Sequence, residues 1–290
     1  MAEFERNALE AEKSNPERYK SKDLEPGNRR YDLLVWDFHG TMTDHQLRLI
    51  RAFHHPGHEV FGIHFGKEFY QKAITRPSKK SKDGVSNLEF AEQEFRDIYS
   101  PEQIEWFKAR YKGYMDSTYI PIPGTIEVLR TLLANRVDNA VLTNGTNREI
   151  VQSTLRKWGF EDFANKLYSS HNTGAKKPNT KPIEHILKDY GKAGRTFDRN
   201  RILLVGDSMI DSKTAGNIKA DLALVVRGNG WESFQLIDPR PTYIVTEPSQ
   251  IVEIVKGRFP RETRDFVEIP PMLWKRECWG KQTIVEEPQK

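Results

Sequence analysis

One cysteine in 290 residues, Cys278, leaves the chain no means of forming an internal disulfide and fits a reducing compartment. No stretch approaches the ~20 apolar residues that a bilayer-spanning helix needs, so a helical membrane protein is excluded. The N-terminus is charged from its first turn and carries no apolar signal segment, which argues against secretion and for a cytoplasmic location. An excess of one charge is missing too: 45 Lys and Arg stand against 41 Asp and Glu, a formal net charge of +4. That balance slightly favours anionic ligands and is far from the footprint of a dedicated nucleic-acid binder. What is present, 37% hydrophobic and 30% charged residues, describes a globular protein with generous polar surface. The length suffices for one large domain or for a core with an insertion.

Three apolar runs end abruptly in polar residues. Leu33-Leu34-Val35-Trp36 stops at Asp37-Phe38-His39-Gly40-Thr41. Ala140-Val141-Leu142 stops at Thr143-Asn144-Gly145, and Ile202-Leu203-Leu204-Val205 at Gly206-Asp207-Ser208, with Asp211 behind it. Continuous apolar runs of this length suit strands buried on both faces, as in a parallel sheet. Ligands of such sheets bind beyond the carboxyl ends of the strands, where these polar residues would stand. Between the second and third runs, a Ser/Asn/Thr/Gly loop leads to Lys177-Pro178, with Lys176 and Lys181 as competing lysines.

Acid, hydroxyl, lysine and paired acids in this order resemble the haloacid dehalogenase (HAD) superfamily of phosphohydrolases, over roughly residues 31 to 256. The resemblance implies a Rossmann-like α/β fold, a parallel sheet with helices on both faces, plus a small all-helical cap. It implies Mg2+ as cofactor, held by Asp37, Asp207 and the backbone carbonyl of His39, with Asp211 binding a metal-bound water or orienting Lys177. Asp37 would be the nucleophile, forming an aspartyl-phosphate. Thr143 and the amides of Asn144 and Gly145 would hold phosphate oxygens, and Lys177 would neutralise nucleophile and phosphoryl group alike. The substrate class implied is a small soluble phosphate ester. One position departs from the family: its phosphatases carry aspartate two residues after the nucleophile as general acid and base, and this chain has His39. An imidazole can shuttle protons near neutrality, although a neighbouring magnesium ion disfavours its protonated form.

The remaining sequence divides into four parts. Residues 1–30 form a charged extension, in which Phe4, Ala8 and Leu9 could make an amphipathic turn. Residues 31–45 and 119–256 carry the βα alternation of the core, and 46–118 show helical periodicity with no buried strand, as expected of a cap. Within that stretch Ser100-Pro101 reads as a helix start. His54-His55-Pro56-Gly57-His58 invites a metal-site reading, but Pro56 and Gly57 should interrupt the helix, and surface histidines are the expectation. Arg76 to Lys82 form a basic loop, either solvated or reaching for a phosphate. Residues 257–290 lie outside the resemblance; Phe259, Phe266, Trp274 and Trp279 among charges suggest docking onto this chain or onto a protein partner. Two further functions stay open: a HAD-like binding or scaffolding subunit without turnover, suggested by His39 and the two extensions, and a phosphatase of nucleic-acid ends, suggested by the mild basicity.

Overall fold

The computed structural model describes residues 16–75, 86–117, 119–145, 147–226 and 239–261. The amphipathic turn expected at Phe4 to Leu9, the loop Arg76 to Lys82, and Phe266, Trp274, Cys278 and Trp279 lie outside the described residues.

Two compact units are present. The first comprises residues up to Asp37, Pro123–Asn144 and Lys166 onward. It contains the six strands of the described residues: β1 (Leu33–Trp36), β2 (Asp138–Thr143), β3 (Leu167–Ser169), β4 (Ile202–Gly206), β5 (Asp221–Val225) and β6 (Tyr243–Val245). They form one parallel sheet in the order β3-β2-β1-β4-β5-β6. Every residue of β1, β2 and β4 is buried, which explains why these runs are apolar throughout rather than alternating. On one face Leu33, Val35, Ile202 and Leu204 pack on Ile183 and Ile186 of the helix Lys181–Lys192, and on Ala215 and Ile218 of the helix Met209–Ile218. By strand alternation Leu34, Trp36, Leu203 and Val205 face the opposite side, and they are buried as well. The α/β, Rossmann-like class expected from the sequence is therefore the observed one.

The strand order places the ligand site. β1 is flanked by β2 on one side and β4 on the other, so the chain reverses its direction of travel across the sheet at β1. Such a switch leaves a crevice at the carboxyl ends of the two central strands. Trp36 is level with Val141 and with Val205, and the Asp37 N–H donates to the Val205 carbonyl at 2.8 Å. Three polar strand ends far apart in sequence thus become neighbours.

The second unit comprises Phe38–Ile122 and Gly145–Asn165. Between residues 45 and 117 its described elements are four helices: α1 (His45–Phe61), α2 (Lys67–Thr75), α3 (Asn87–Phe95) and α4 (Pro101–Ser117). Asp44 caps α1 by accepting the Leu47 N–H at 2.8 Å, and Gly62 ends it in a left-handed conformation. Ser100 and Gln103 exchange hydrogen bonds at the start of α4, with Pro101 in its first turn. Aromatic side chains dominate the interior: Phe53, Phe65, Phe69, Phe95 and Phe107 stack or meet edge to face.

The expected break at Pro56-Gly57 does not occur, and α1 runs through both residues. Proline in a helix interior removes a hydrogen bond and clashes with the preceding turn, so packing must outweigh that cost. Gly57 shows where. A methyl group there would lie 2.3 Å from Cε2 of Phe65, so the glycine lets the aromatic core press on the helix backbone. Consequently His54 and His58 sit one turn apart, and the ring of His64 stacks on both, with centroids 5.0 and 4.8 Å away.

Residues 258–261, the start of the expected tail, dock on the first unit. Phe259 meets Tyr243 edge to face, Arg258 pairs with Asp23 and Arg261 with Asp221.

Candidate active site

Asp37 continues β1, and Asp207 follows β4 directly. Asp211 is returned to the same place by the first turn of the helix Met209–Ile218. Ser208 caps that helix: its hydroxyl accepts the Asp211 N–H at 3.4 Å and donates to Asp211 Oδ2 at 2.6 Å. The Ser208 and Asp207 amides also point at this oxygen, at 3.2 and 3.3 Å. One oxygen of Asp211 is thereby fixed by the cap. The other accepts from Lys177.

Lys177 is the centre of the arrangement. Its Nζ lies 2.5 Å from Asp37 Oδ1 and 2.6 Å from Asp211 Oδ1, with Lys177 and Asp211 buried and Asp37 partly so. Burial pushes the lysine toward losing its proton, but Asp37 and Asp211 outweigh this and hold it charged. Lys176 and Lys181 are exposed, so burial decides between the three lysines. Of the two roles expected for Asp211, the contact seen is the one to Lys177. Gly206 makes room for this contact, because a methyl group there would come within 2.4 Å of Asp211 Cβ and Cγ.

Asn144 holds the lysine from its other end. Its side-chain oxygen accepts the Lys177 N–H at 2.8 Å, and its amide nitrogen donates to the Lys177 carbonyl at 3.0 Å. The sequence pattern points only to the backbone amide of Asn144, so this side-chain role emerges from the fold. Thr143 is buried at the end of β2. Gly145 and His39 belong to the second unit. There the His39 Nε2 lies 3.2 Å from the Tyr119 hydroxyl, and Phe38 meets both rings edge to face. Tyr119 and Ser208 are not marked by the sequence motifs. A Ser-x-x-Asp capping pattern could have flagged Ser208, whereas nothing local marks Tyr119.

The carboxylate oxygens of Asp37, Asp207 and Asp211 lie within 4.8 Å of one another. Against three carboxylates stands one ammonium, leaving two net negative charges. Asp207 registers the imbalance: its carboxyl stands well above the usual carboxylate range, because protein atoms crowd it and Asp37 and Asp211 add like charge. The residue keeps an exposed edge, so the like charge is the part a bound cation would relieve. Hard oxygen donors with this surplus suit a divalent cation such as magnesium.

A sequence model of the haloacid dehalogenase-like hydrolases matches residues 34–225. The chain belongs to this family. This haloacid dehalogenase-like hydrolase is 33% identical over 103 residues to pyrimidine 5'-nucleotidase YjjG of Escherichia coli, a match spanning 36% of this chain and 43% of that protein. It is 22% identical over 229 residues to pyrophosphatase PpaX of Halalkalibacterium halodurans, covering 77% of this chain and 95% of the other. Among solved structures, the HAD hydrolase YfnB of Bacillus subtilis, bound to magnesium, superposes with a TM-score of 0.59 at 20% identity, over 78% of this chain and 99% of that one.

Proposed function

We propose that the protein is a magnesium-dependent phosphatase of a small soluble phosphate ester, working through an aspartyl-phosphate on Asp37. The observation that carries this reading is the buried Lys177 ammonium shared between Asp37 and Asp211, with Asp207 in the same cluster. The resident magnesium of YfnB and the phosphate substrates named for YjjG and PpaX support it.

Phosphate monoesters resist attack because the phosphoryl group is already anionic, so catalysis rests on positioning and charge neutralisation. In this reading the Asp37 carboxylate attacks phosphorus and the ester oxygen departs, taking a proton. Water then cleaves the aspartyl-phosphate, giving inorganic phosphate and restoring Asp37. Lys177 keeps Asp37 ionised and aimed, and it faces the charge that develops on the phosphoryl oxygens. Thr143 and the amides of Asn144 and Gly145 bind the remaining oxygens. His39, oriented by Tyr119, donates the proton to the leaving oxygen and later accepts one from water. Magnesium held by Asp37, Asp207 and the His39 carbonyl would supply charge neutralisation when bound.

Purified protein assayed against sugar phosphates, nucleotides and phosphonates, with magnesium and with EDTA, tests the reading. Magnesium-dependent release of phosphate that vanishes in Asp37→Asn is the expected result. A substrate panel left untouched, or an Asp37→Asn protein as active as the parent, rejects it in favour of a binding or scaffolding role. His39→Asp should raise phosphate release, and an unchanged or lower rate would show that the imidazole has a catalytic role of its own.

A further inference from the structure

Half of the eight histidines, His54, His55, His58 and His64, belong to one short stretch of the second unit. Because α1 continues through Pro56-Gly57, His54 and His58 project from the same face of that helix, one turn apart. A helical pair at this spacing is a ready chelate for a transition-metal ion. His64 brings a third ring. Gly62 ends α1 in a left-handed turn and Phe65 presses on Gly57, so the backbone is held on both sides of His64. The His64 centroid lies 5.0 Å from that of His54 and 4.8 Å from that of His58.

Those spacings can be compared with what an ion requires. A zinc–nitrogen bond of about 2.0–2.1 Å puts each imidazole centroid ~3.1 Å from the metal, and tetrahedral angles then set neighbouring centroids ~5.1 Å apart. The rings lie nearly parallel, at 23° and 27°. Among the described residues, the three aspartates are the group whose ligand atoms already converge within 4.8 Å. The histidines would close on an ion by rotating about their Cβ–Cγ bonds. His58 and His64 are exposed, so that rotation displaces only water. His54 is the anchored member: its Nδ1 lies 3.2 Å from the hydroxyl of the buried Tyr70. When Nδ1 donates to that oxygen, Nε2 carries the lone pair, which is how metal-ligating imidazoles are commonly oriented. His55 lies against Tyr114, with centroids 5.5 Å apart, and is not part of the group.

We propose that His54, His58 and His64 bind a zinc ion, with water in the fourth position, and that the ion pins the end of α1 to the segment leading into α2. Imidazole nitrogens favour zinc, whereas magnesium prefers the carboxylate oxygens of Asp37, Asp207 and Asp211. The zinc site is independent of the phosphatase reading.

Calorimetric titration of the full-length protein with zinc chloride, in an excess of magnesium to fill the aspartates, tests the proposal. One tight equivalent should bind, at least tenfold more weakly in His58→Gln and in His64→Gln, and as in the parent in His55→Gln. Tyr70→Phe, which removes the partner of Nδ1, should weaken binding about tenfold. Cobalt(II) in place of zinc should give the intense visible bands of a four-coordinate ion in the parent and lose them in His64→Gln. Zinc should raise the melting temperature of the parent and leave that of the double variant His58→Gln/His64→Gln unchanged. Absence of zinc binding, or binding equally tight in the double variant, overturns the proposal. Binding abolished by Asp207→Asn but kept in the histidine variants also overturns it and places the ion among the aspartates. Either histidine variant melting well below the parent in EDTA would make these rings packing residues and refute the site.

Discussion

Replacing Asp207 with asparagine should make the metal-free protein more stable and the magnesium-loaded protein less stable than the parent. The oxygens of Asp37, Asp207 and Asp211 lie within 4.8 Å of one another. At that separation and an effective dielectric constant of about 20, each like-charged pair costs ~3 kcal/mol. Lys177 offsets part of the two repulsions on Asp207, and water at its exposed edge screens more, leaving about 1–3 kcal/mol. An amide relieves this at no loss of volume. For a chain of this size that corresponds to a melting temperature raised by roughly 2–10 °C in EDTA. The pH dependence has a fixed sign. A carboxyl held above its unfolded value binds more protons folded than unfolded, so its contribution is most favourable in acid and is lost as pH rises through the folded value. The advantage of Asp207→Asn should therefore be small near pH 4 and full at pH 8. Magnesium at about a hundred times its dissociation constant stabilises the parent by ~2.7 kcal/mol, and the variant, short of one ligand, should gain far less. Thermal melts at pH 8 in EDTA and in magnesium read both effects, and the two proteins should change rank. A variant less stable than the parent in EDTA, or equally stabilised by magnesium, would refute the electrostatic account.

Asn144→Ala removes both hydrogen bonds that fix the Lys177 backbone. Stability should drop by about 1–2 kcal/mol and kcat by roughly ten- to a hundredfold, because the ammonium is no longer aimed; a parental kcat in steady-state assays contradicts the clamp. Gly57→Ala sets helix propensity, worth ~1 kcal/mol of gain, against a methyl group 2.3 Å from a Phe65 ring that Phe69 and Phe95 hold in place. Packing should win, with a net loss of about 1–2 kcal/mol in urea unfolding, and a more stable variant would mean that propensity prevails. His54 and His55 are held below the usual imidazole value of 6.5, first by burial and then by neighbouring cations: His64, His55 and His58 for His54, and Arg51 and His58 for His55. The unfolded chain binds more protons there, so their contribution is intact above pH 6.5 and is lost as pH falls through the folded values. Melting temperature should decline from pH 7.5 to 5.5, and His54→Gln should flatten that decline; an unchanged slope would exclude the histidine cluster as its source.

The sheet could be read from the chain because its central strands are buried on both faces, and that requirement writes itself as unbroken apolar runs ending in polar residues. Leu33–Trp36 and Ile202–Val205 are such runs, and the acids after them mark the strand ends. Caps were equally local: Asp44, Ser100 and Gly62 act within one helical turn. Where the outcome depended on distant partners, sequence pattern failed. Pro56-Gly57 looks like a break until Phe65 folds back against it. The motif order does single out Lys177 from Lys176 and Lys181, but only the fold supplies the two carboxylates that share its ammonium. The Asn144 side chain clamps a residue 33 positions away, and Tyr119 reaches His39 across 80. Backbone periodicity and capping are short-range properties carried by each segment alone, so the sequence determined the strands, the caps and the chemical types at their ends. Pairing of charges and filling of space are decided when separate segments meet. Tertiary structure alone therefore decided that the Asn144 side chain would clamp the Lys177 backbone and that the Lys177 ammonium would be shared between Asp37 and Asp211.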